Sequence, residues 1–272
     1  MKCRYPIQVC IKGRQIYVPC GHCAWCLQRL RQEWFVRLKF EGSRALFRSF
    51  LTLTYRDSDL PFEINDETGE FVPSVSLKDI QDFHKRCRKD IKFRFMLCSE
   101  YGPKTHRPHY HGVYFHDQPY DFTKKWYKGD NNSQYPAKDG SYKYIIKYVL
   151  KGSEVPEGAK PNFRVMSRKP GLGACFDYKG GSYIIGEDGV HQIVPRYYIK
   201  NYEKSLSDKL REYLSEEKLD YLSFLPQHDQ FHKEYDQLVE EGSINVETTS
   251  FEDWLQNKYD LDYKKQIKIN KK

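Results

Sequence analysis

The sequence predicts an α+β fold built on an antiparallel sheet, and two observations carry the prediction. Segments with strand-like alternation, such as "FRSFLTLTY" and "IKFRFMLCSE", are interspersed with segments of helical periodicity, such as "CAWCLQRLRQEWFVRLKF". Their order lacks the regular strand–helix–strand alternation that builds a parallel sheet. We therefore expect a central antiparallel sheet flanked by helices.

The first helix is predicted at about residues 23–40. Its apolar residues recur at steps of three and four, which is the spacing of one helical face. These residues are Cys23, Leu27, Leu30, Trp34 and Leu38. The strand "FRSFLTLTY" follows, and the polar, proline-ended segment "RDSDLP" ends it.

A second helix begins after Ser76, which stands three residues before Asp79 in a weak capping-box arrangement. The strand "IKFRFMLCSE", the turn "YGPKT" and the strand "RPHYHGVYF" then predict an antiparallel pair. "YKYIIKYVLKG" is predicted to be a helix that Gly152 ends, and "GSYIIGEDGVHQIV" a hairpin that turns at residues 186–189. From about residue 203 the pattern favours a helical tail.

Composition places the chain among soluble globular proteins. Of its 272 residues, 39% are hydrophobic and 30% are charged, and no apolar run approaches the ~20 residues of a membrane helix. The beginning, "MKCRYPIQVC", lacks the apolar core of a secretory signal. We therefore expect no membrane association and expect the eight cysteines to be thiols in a reducing compartment.

Charge is unevenly distributed along the chain. The net charge of +8 arises from a balance of +8 in residues 1–50, +5 in residues 51–200 and −5 in residues 201–272. A polyanion such as nucleic acid would bind the basic part. A modest basic excess also serves only to keep a surface soluble, so charge alone does not decide between these functions.

Two histidines, His109 and His111, lie one residue apart in the segment "THRPHYHGVYFHD". In a strand, both would face one side about 7 Å apart while Tyr110 faces the other. Two such imidazoles suit one divalent ion that keeps positions open for water and substrate. Glu100 ends the strand predicted to pair with this one, and we expect it to be the third ligand. Ordinary polar residues on a half-exposed strand remain the alternative.

The segment "YIIKYVLKG" contains a doubled Tyr-x-x-Lys pattern, Tyr144 with Lys147 and Tyr148 with Lys151. Residues four apart share a helix face about 6 Å apart, so either phenol could reach the same atom. A phenol becomes a useful nucleophile at neutral pH when it is deprotonated or its target is made electrophilic, as a metal-bound phosphate is. An adjacent lysine would stabilise charge on the phosphate or lower the phenol's pKa. Packing of two tyrosines is the alternative.

A Cys-x₂-Cys-x₂-Cys pattern stands at the start of the first helix. It comprises Cys20, Cys23 and Cys26. Three close thiolates indicate a metal site, and tetrahedral zinc needs a fourth ligand, for which Cys3, Cys10 and His22 are candidates. The spacing also fits part of an iron–sulfur pattern, but Leu30 stands where the fourth cysteine of that pattern would be, so zinc is preferred.

These motifs together resemble a known family. "HYH" preceded by "RP", the strand "FLTLTY" and the doubled "YIIKYVLK" resemble the three motifs of HUH endonucleases that initiate rolling-circle replication. With "VPCGHCAWCLQRLRQEW", "SEYGPKTHRPHYHG" and "FRVMSRKPGLG", the sequence is most similar to replication initiators of microviruses of the gokushovirus type, over about residues 3–200. One departure is Tyr110, because the family usually has a bulky apolar residue there.

The resemblance implies an HUH endonuclease fold and a strand-transfer reaction on single-stranded or unpaired origin DNA. Mg²⁺ or Mn²⁺ would polarise one phosphodiester, and a tyrosine would attack it, leaving a 5′-phosphotyrosine and a free 3′-OH. Because the tyrosyl ester retains the energy of the broken bond, rejoining needs no ATP, and a second tyrosine could cut the regenerated origin while the first releases a circle.

The resemblance also assigns roles to individual residues. The metal ligands would be His109, His111 and Glu100, the nucleophiles Tyr144 and Tyr148, and their helpers Lys147 and Lys151. It favours Cys3 as the fourth ligand of a structural zinc, because related initiators often carry a cysteine there. Contacts to DNA phosphates are expected from Arg107, Arg168 and Lys169, although the last two fit a solvated turn equally well.

The predicted organisation has three parts: a basic cysteine-rich zinc segment and helix at 1–45, an HUH endonuclease domain at 46–200 and a helical, acidic extension at 201–272. The expected partners are single-stranded and origin DNA and the host polymerase and helicase, in the cytoplasm of the infected bacterial host. Two other functions remain open: a zinc-containing nucleic-acid-binding module without catalysis, and an iron–sulfur redox protein that the cysteines alone suggest.

Overall fold

The computed structural model describes residues 3, 5–151, 154–181, 183–185, 189, 191–206, 212, 226–245, 249 and 254. The chain divides into two compact units, one of residues 1–27 and 206–272 and the other of residues 28–205. No helix in the described ranges is both long enough and apolar enough to cross a membrane.

The described elements comprise helices and strands in a mixed order, as predicted. The α-helices are α1 (Ala24–Arg44), α2 (Leu77–Cys87), α3 (Asp139–Lys151), α4 (Arg196–Ser205) and α5 (Pro226–Glu240). The first six strands are β1 (Ile7–Ile11), β2 (Arg14–Val18), β3 (Phe47–Leu53), β4 (Phe62–Ile64), β5 (Phe71–Pro73) and β6 (Phe93–Tyr101). The remaining strands are β7 (Pro108–His116), β8 (Ser133–Pro136), β9 (Arg164–Met166), β10 (Tyr183–Ile185) and β11 (His191–Ile193).

The central sheet has five strands in the order β8-β3-β7-β6-β9, and every neighbouring pair is antiparallel. The predicted α+β class with a central antiparallel sheet is therefore confirmed. The longest pairing joins β6 and β7, which are nine residues each and connected by a short turn. The hairpins β1-β2, β4-β5 and β10-β11 form separate two-stranded sheets. The predicted turn at 186–188 and the predicted helix end at Gly152 lie outside the described residues.

The capping-box prediction for the second helix is confirmed. Ser76 has an extended backbone, and its Oγ accepts a hydrogen bond from the backbone N–H of Asp79 at 3.2 Å. This bond satisfies one of the amides that a helix start leaves unpaired. From that start, Ile80, Phe83 and Cys87 project from one side of α2 and are fully buried.

An apolar layer covers each face of the central sheet. The layer on the α2 side includes Leu51, Leu53, Ile80, Phe83, Leu97, Tyr110, Tyr114 and Trp126. The layer on the α3 side includes Leu38, Phe50, Met96, Val113, Phe115, Tyr142, Ile145 and Ile146. Strand alternation thus sends Tyr110 into one layer, while its neighbours in the "HYH" motif face the side of α3.

The predicted apolar face of α1 is only partly right. Leu38 is fully buried, but Leu30 is 38% exposed, and Glu41 is buried although it is charged. Glu41 can be buried because its carboxylate accepts hydrogen bonds from Arg94 and from the backbone N–H of Gly173 at 2.7 Å. This network ties α1 to β6 and to the loop that follows β9.

Candidate active site and metal centre

The two histidines of "HYH" lie on the central strand β7. His109 stands opposite Glu100 of β6, and His111 stands between Cys98 of β6 and Thr52 of β3. The predicted hairpin therefore places the two imidazoles and the carboxylate of Glu100 on the same face of the sheet.

His111 is contacted through both of its ring nitrogens. Its Nε2 lies 3.1 Å from Oε2 of Glu100, and its Nδ1 is hydrogen-bonded to Oγ1 of Thr52 at 3.2 Å. A carboxylate and an imidazole nitrogen this close need a proton or a cation between them. Two ligands at right angles around an ion ~2.1 Å from each would be separated by about 3.0 Å, so this pair has a separation suited to a divalent ion.

His109 is half-buried, and its ring lies against Gly102, where an added Cβ would come within 3.2 Å of Cε1. Desolvation, and then the neighbouring His111, lower the pKa of His109, which favours the neutral imidazole that binds metals. The nitrogens of the two histidines and an oxygen of Glu100 do not all lie within 4.8 Å of one another. At least one of these side chains must move for all three to bind one ion.

The two tyrosines of α3 lie over His111. The hydroxyl of Tyr144 is 3.5 Å from Nε2 of His111, and Tyr148 donates to the hydroxyl of Tyr144 at 3.3 Å. The Tyr144 ring is edge-on to the imidazole, and the Tyr148 ring is nearly parallel to it, with centroids 5.1 Å and 6.0 Å away. Both phenols thus lie beside the same imidazole, as the four-residue spacing predicted.

Burial raises the pKa of both phenols. Desolvation is the main cause at Tyr144, and at Tyr148 the Tyr144 hydroxyl and the Glu100 carboxylate add to it. A phenol in this position keeps its proton unless a cation or a base takes it. The Nζ of Lys147 lies 5.2 Å from the centroid of the Tyr148 ring, whereas the side chain of Lys151 lies outside the described part of the chain.

The cysteines of the N-terminal unit form a compact group. The sulfur atoms of Cys3, Cys20, Cys23 and Cys26 all lie within 4.8 Å of one another, so they are close enough to bind one metal ion. The Sγ–Sγ distances from Cys3 to Cys23 and from Cys20 to Cys26 are 3.9 and 4.0 Å. Sulfurs at ~2.3 Å from a tetrahedral zinc are about 3.8 Å apart, so the group fits this ion.

The surroundings of the cysteines also suit thiolates. Backbone N–H groups of Cys20 and Cys23 donate to sulfur, the first to Cys3 at 3.2 Å and the second to Cys20 at 3.3 Å. Cys10 is exposed and, like His22, does not belong to the group. The structure thus brings together the four cysteines that the sequence and the family resemblance favoured.

The residues predicted to contact DNA lie in two loops. Arg107 donates to Oδ1 of Asp57 at 2.6 Å and to the backbone carbonyl of Tyr55 at 2.8 Å, so its guanidinium is held in place beside the histidine strand. Arg168 and Lys169 are exposed in the loop after β9. This second loop presents two cations to solvent.

The loop that carries Arg168 and Lys169 is anchored by two arginines. Arg94 donates to the carbonyl oxygens of Pro170 and Gly171 at 3.0 and 2.9 Å, and Arg37 donates to that of Leu172 at 2.9 Å. These bonds hold the carbonyls, and with them the backbone of the loop, in one conformation. The position of the loop is therefore defined even though its charged side chains are solvated.

Sequence reasoning did not single out Thr52, whose hydroxyl contacts His111. Thr52 belongs to the quoted "FLTLTY" strand, but its contact depends on the pairing of β3 with β7, which places it directly opposite His111. Only the register of two strands that are distant in sequence could have revealed this partner.

Comparisons with known proteins were made with the whole chain. Residues 48–153 match the family of the replication-associated protein ORF2. The chain is 26% identical over 231 residues to replication-associated protein VP4 of Bdellovibrio phage phiMH2K, with 74% of this chain and 72% of the relative covered. It is also 26% identical over 229 residues to replication-associated protein ORF2 of Spiroplasma virus 4, with 71% and 69% covered.

A third relative is replication-associated protein ORF4 of Chlamydia phage 1, at 26% identity over 51% of this chain and 31% of the relative. No solved structure matches the chain significantly. The matched family segment contains nearly all of β3 and the whole of β6, β7 and α3, which are the elements of the candidate site. The resemblance inferred from the motifs is confirmed, and the chain belongs with the replication-associated proteins of phages, as a rolling-circle replication initiator.

Proposed function

We propose that this protein nicks single-stranded or unpaired origin DNA by attack of a tyrosine on a metal-bound phosphodiester, and that it rejoins strands to release circular phage genomes. The observation that carries the proposal is the meeting of three groups at one imidazole. Glu100 lies 3.1 Å and the Tyr144 hydroxyl 3.5 Å from Nε2 of His111, and Tyr148 donates to Tyr144. The five-stranded sheet with the tyrosine helix across it supports assignment to the HUH endonuclease fold.

His109, His111 and Glu100 would hold a catalytic Mg²⁺ or Mn²⁺. Their donors fit such an ion: one carboxylate and two imidazoles on one sheet face, with the pKa of His109 lowered toward the neutral, binding form. When bound, the ion would supply Lewis-acid polarisation of the phosphodiester. The chain's own contribution is to hold these ligands on two rigid strands beneath the phenols.

The tyrosines would carry the covalent step. In the forward reaction the phenolic oxygen of Tyr144 or Tyr148 bonds to phosphorus, the bond from phosphorus to the 3′-oxygen breaks, and that oxygen leaves with a proton as a free 3′-OH. The phenolic proton passes to a nearby acceptor, for which Glu100 is placed. The number of phosphate ester bonds is unchanged, so the reverse attack by a 3′-OH seals a strand without ATP.

Two phenols at hydrogen-bond distance allow two strand transfers to alternate at one site. While one tyrosine holds a 5′ end, the other can attack the regenerated origin, because both rings lie over His111. Lys147, beside the Tyr148 ring, would stabilise negative charge on the phosphate or the phenol. Lys151 is proposed for the same role from its place in the repeated pattern.

The four N-terminal cysteines would bind a structural zinc. They supply four sulfur ligands, so no position would remain for a substrate, which is typical of structural rather than catalytic zinc. We further propose that residues 1–45 form the basic zinc segment and helix, 46–200 the endonuclease domain and 201–272 the helical extension.

The DNA partners would be single-stranded and origin DNA, contacted by Arg107, Arg168 and Lys169. The free 3′-OH would be extended by the host polymerase, with a host helicase opening the duplex. The phage relatives support action in the cytoplasm of the infected host cell.

The experiment that tests the proposal is incubation of the full chain with a labelled origin oligonucleotide and Mn²⁺, followed by denaturing electrophoresis. A labelled protein–DNA adduct that forms only without chelator is expected. A zinc-containing binding module without catalysis would shift the oligonucleotide under native conditions but leave no adduct after denaturation. A visible absorption band with bound iron would instead support the iron–sulfur redox function.

A further inference from the structure

A cleft opens beside the candidate active site, between strand β8 and the first turn of helix α3. Its volume is about 670 Å³, which falls within the ~300–1,000 Å³ of sites that enclose small molecules. His111 and Tyr144 form part of its wall, and Tyr135 and Lys138 extend the wall away from the tyrosines. The cleft therefore begins at the groups proposed for chemistry and continues past them.

An aromatic ledge, formed by Phe50 and Tyr135, makes one side of this cleft. Phe50 is buried beneath Tyr135, with ring centroids 5.1 Å apart and planes 29° from parallel, and the two residues are paired across β3 and β8. Tyr135 itself is 49% exposed. A buried ring under a half-exposed ring holds the outer one in place and leaves surface for another flat ring, which is how aromatic residues bind nucleobases.

A cation also lines this cleft. Lys138 is exposed, and within the described part of the chain its side chain makes no ion pair. The adjacent Asp139 carboxylate lies 3.9 Å from Nζ of Lys39, which offsets its charge. Gly140 adds no bulk, because a Cβ there would meet nothing within 4 Å. An anion such as a DNA phosphate could approach Lys138 without displacing a partner.

We propose that this cleft binds the nucleotide adjacent to the phosphodiester that the tyrosines attack, with its base stacked on Tyr135 and a backbone phosphate contacted by Lys138. The position next to the cleaved bond rests on the proposed function. Stacking on a ring face accepts every base, so the cleft positions the strand rather than reads its sequence.

The test measures affinity without cleavage. The full chain is titrated in the presence of a chelator with two fluorescein-labelled strands of equal length, one normal and one fully abasic, and anisotropy is recorded. Tyr135→Leu keeps apolar cover over Phe50 but removes the ring face, and it is expected to weaken binding of the normal strand about 5- to 100-fold. It should leave binding of the abasic strand within about 2-fold of wild type, because no base remains to stack.

Three further variants separate stacking from folding. Tyr135→Phe keeps the ring and should bind as wild type does. Tyr183→Leu removes a tyrosine that is 51% exposed on β10 outside the cleft, and it should also have no effect. Lys138→Gln should weaken both strands alike and reduce the slope of log affinity against log salt by about 0.7, the value for one phosphate contact on single-stranded DNA.

Two outcomes would overturn the inference: equal loss with normal and abasic strands on Tyr135→Leu, or no loss with either. If wild type forms no covalent adduct but the base-dependent loss is found, the proposed nicking reaction fails while the nucleotide site stands. If the adduct forms and Tyr135→Leu changes neither affinity nor adduct yield, the nucleotide site fails while the reaction stands.

Discussion

The cysteine group of the N-terminal unit and the histidine site on the central sheet differ in how completely their ligands are assembled. The four sulfurs already lie within 4.8 Å of one another, and backbone amides donate to them. The histidine site brings only Glu100 and His111 to 3.1 Å, and a cleft and two phenols adjoin it. A closed set of four ligands suits a structural ion, whereas an open, partial set leaves room for a substrate phosphate.

The contrast also concerns the neighbours of each set. Backbone amides approach the sulfurs, whereas the rings of Tyr144 and Tyr148 lie over His111. Reactive side chains thus accompany the ligands that are incomplete. Four changes, ordered by expected effect, would break or sharpen this distinction between the two regions.

The largest effect is expected from removing the shared imidazole. His111→Ala should lower the nicking rate about 10³-fold, because a metal ion's stabilisation of phosphate charge is worth several kcal/mol. Binding of single-stranded DNA should change little. Gel quantification of nicked origin oligonucleotide over time measures the rate. The control is His106→Asn, because His106 is exposed with a φ of 50°, which Asn tolerates.

Loss of one sulfur ligand should act on stability instead of chemistry. Cys20→Ser is expected to reduce bound zinc from one ion per chain to almost none, and to destabilise the N-terminal unit by several kcal/mol. Elemental analysis and thermal unfolding measure both. Cys10→Ser, at an exposed thiol outside the group, should leave zinc content unchanged. Full zinc content in Cys20→Ser would contradict the four-sulfur site.

Thr52 offers a smaller change at the open site. Its Oγ1 holds Nδ1 of His111 at 3.2 Å, and partners of this kind orient a metal-binding imidazole. Thr52→Val should lower nicking about 10- to 100-fold and shift the Mn²⁺ titration midpoint upward, while Thr52→Ser restores both. Equal nicking by the Val and Ser variants would show that the hydroxyl does not position the ring.

The smallest effect is on acid stability and involves neither metal site. Desolvation lowers the pKa of His84 to about 3, and its Nε2 lies 2.8 Å from the Tyr114 hydroxyl. The folded state therefore binds fewer protons, so the stabilisation is complete above the unfolded pKa of ~6.5 and declines as pH falls toward 3.

At pH ~5.5 this decline amounts to about 1 kcal/mol relative to neutral pH. His84→Gln lacks the titrating group, so its loss between these two pH values should be smaller by that amount. Urea unfolding of both proteins at each pH, with fluorescence detection, measures the difference. Identical pH dependence in the two proteins would exclude His84 as the source.

The sequence predicted the elements of the site better than their contacts. Alternation in the segment around His109 and His111 correctly placed both on one face and Tyr110 on the other, because strand periodicity is local. The start of α2 at Ser76 was also local, since one side chain and one nearby amide define it.

What could not be predicted depends on strands and helices that are distant in sequence. Leu30 shared the helical spacing of Leu38 yet is exposed, and Glu41 is buried because Arg94, 53 residues away, neutralises it. Likewise Thr52 and Tyr135 gain their significance only from the pairing of β3 with β7 and β8. Register, rather than residue type, determines these partners.

The central claim is that the two phenols over His111 are the nucleophiles. Its most direct test is the covalent adduct formed with a labelled origin oligonucleotide and Mn²⁺ by wild type, Tyr144→Phe, Tyr148→Phe and the double variant, with the attachment site mapped by mass spectrometry. We predict phosphotyrosine at Tyr144 or Tyr148 in wild type and no adduct in the double variant. An adduct of normal yield in the double variant, or attachment at any other residue, would contradict the claim.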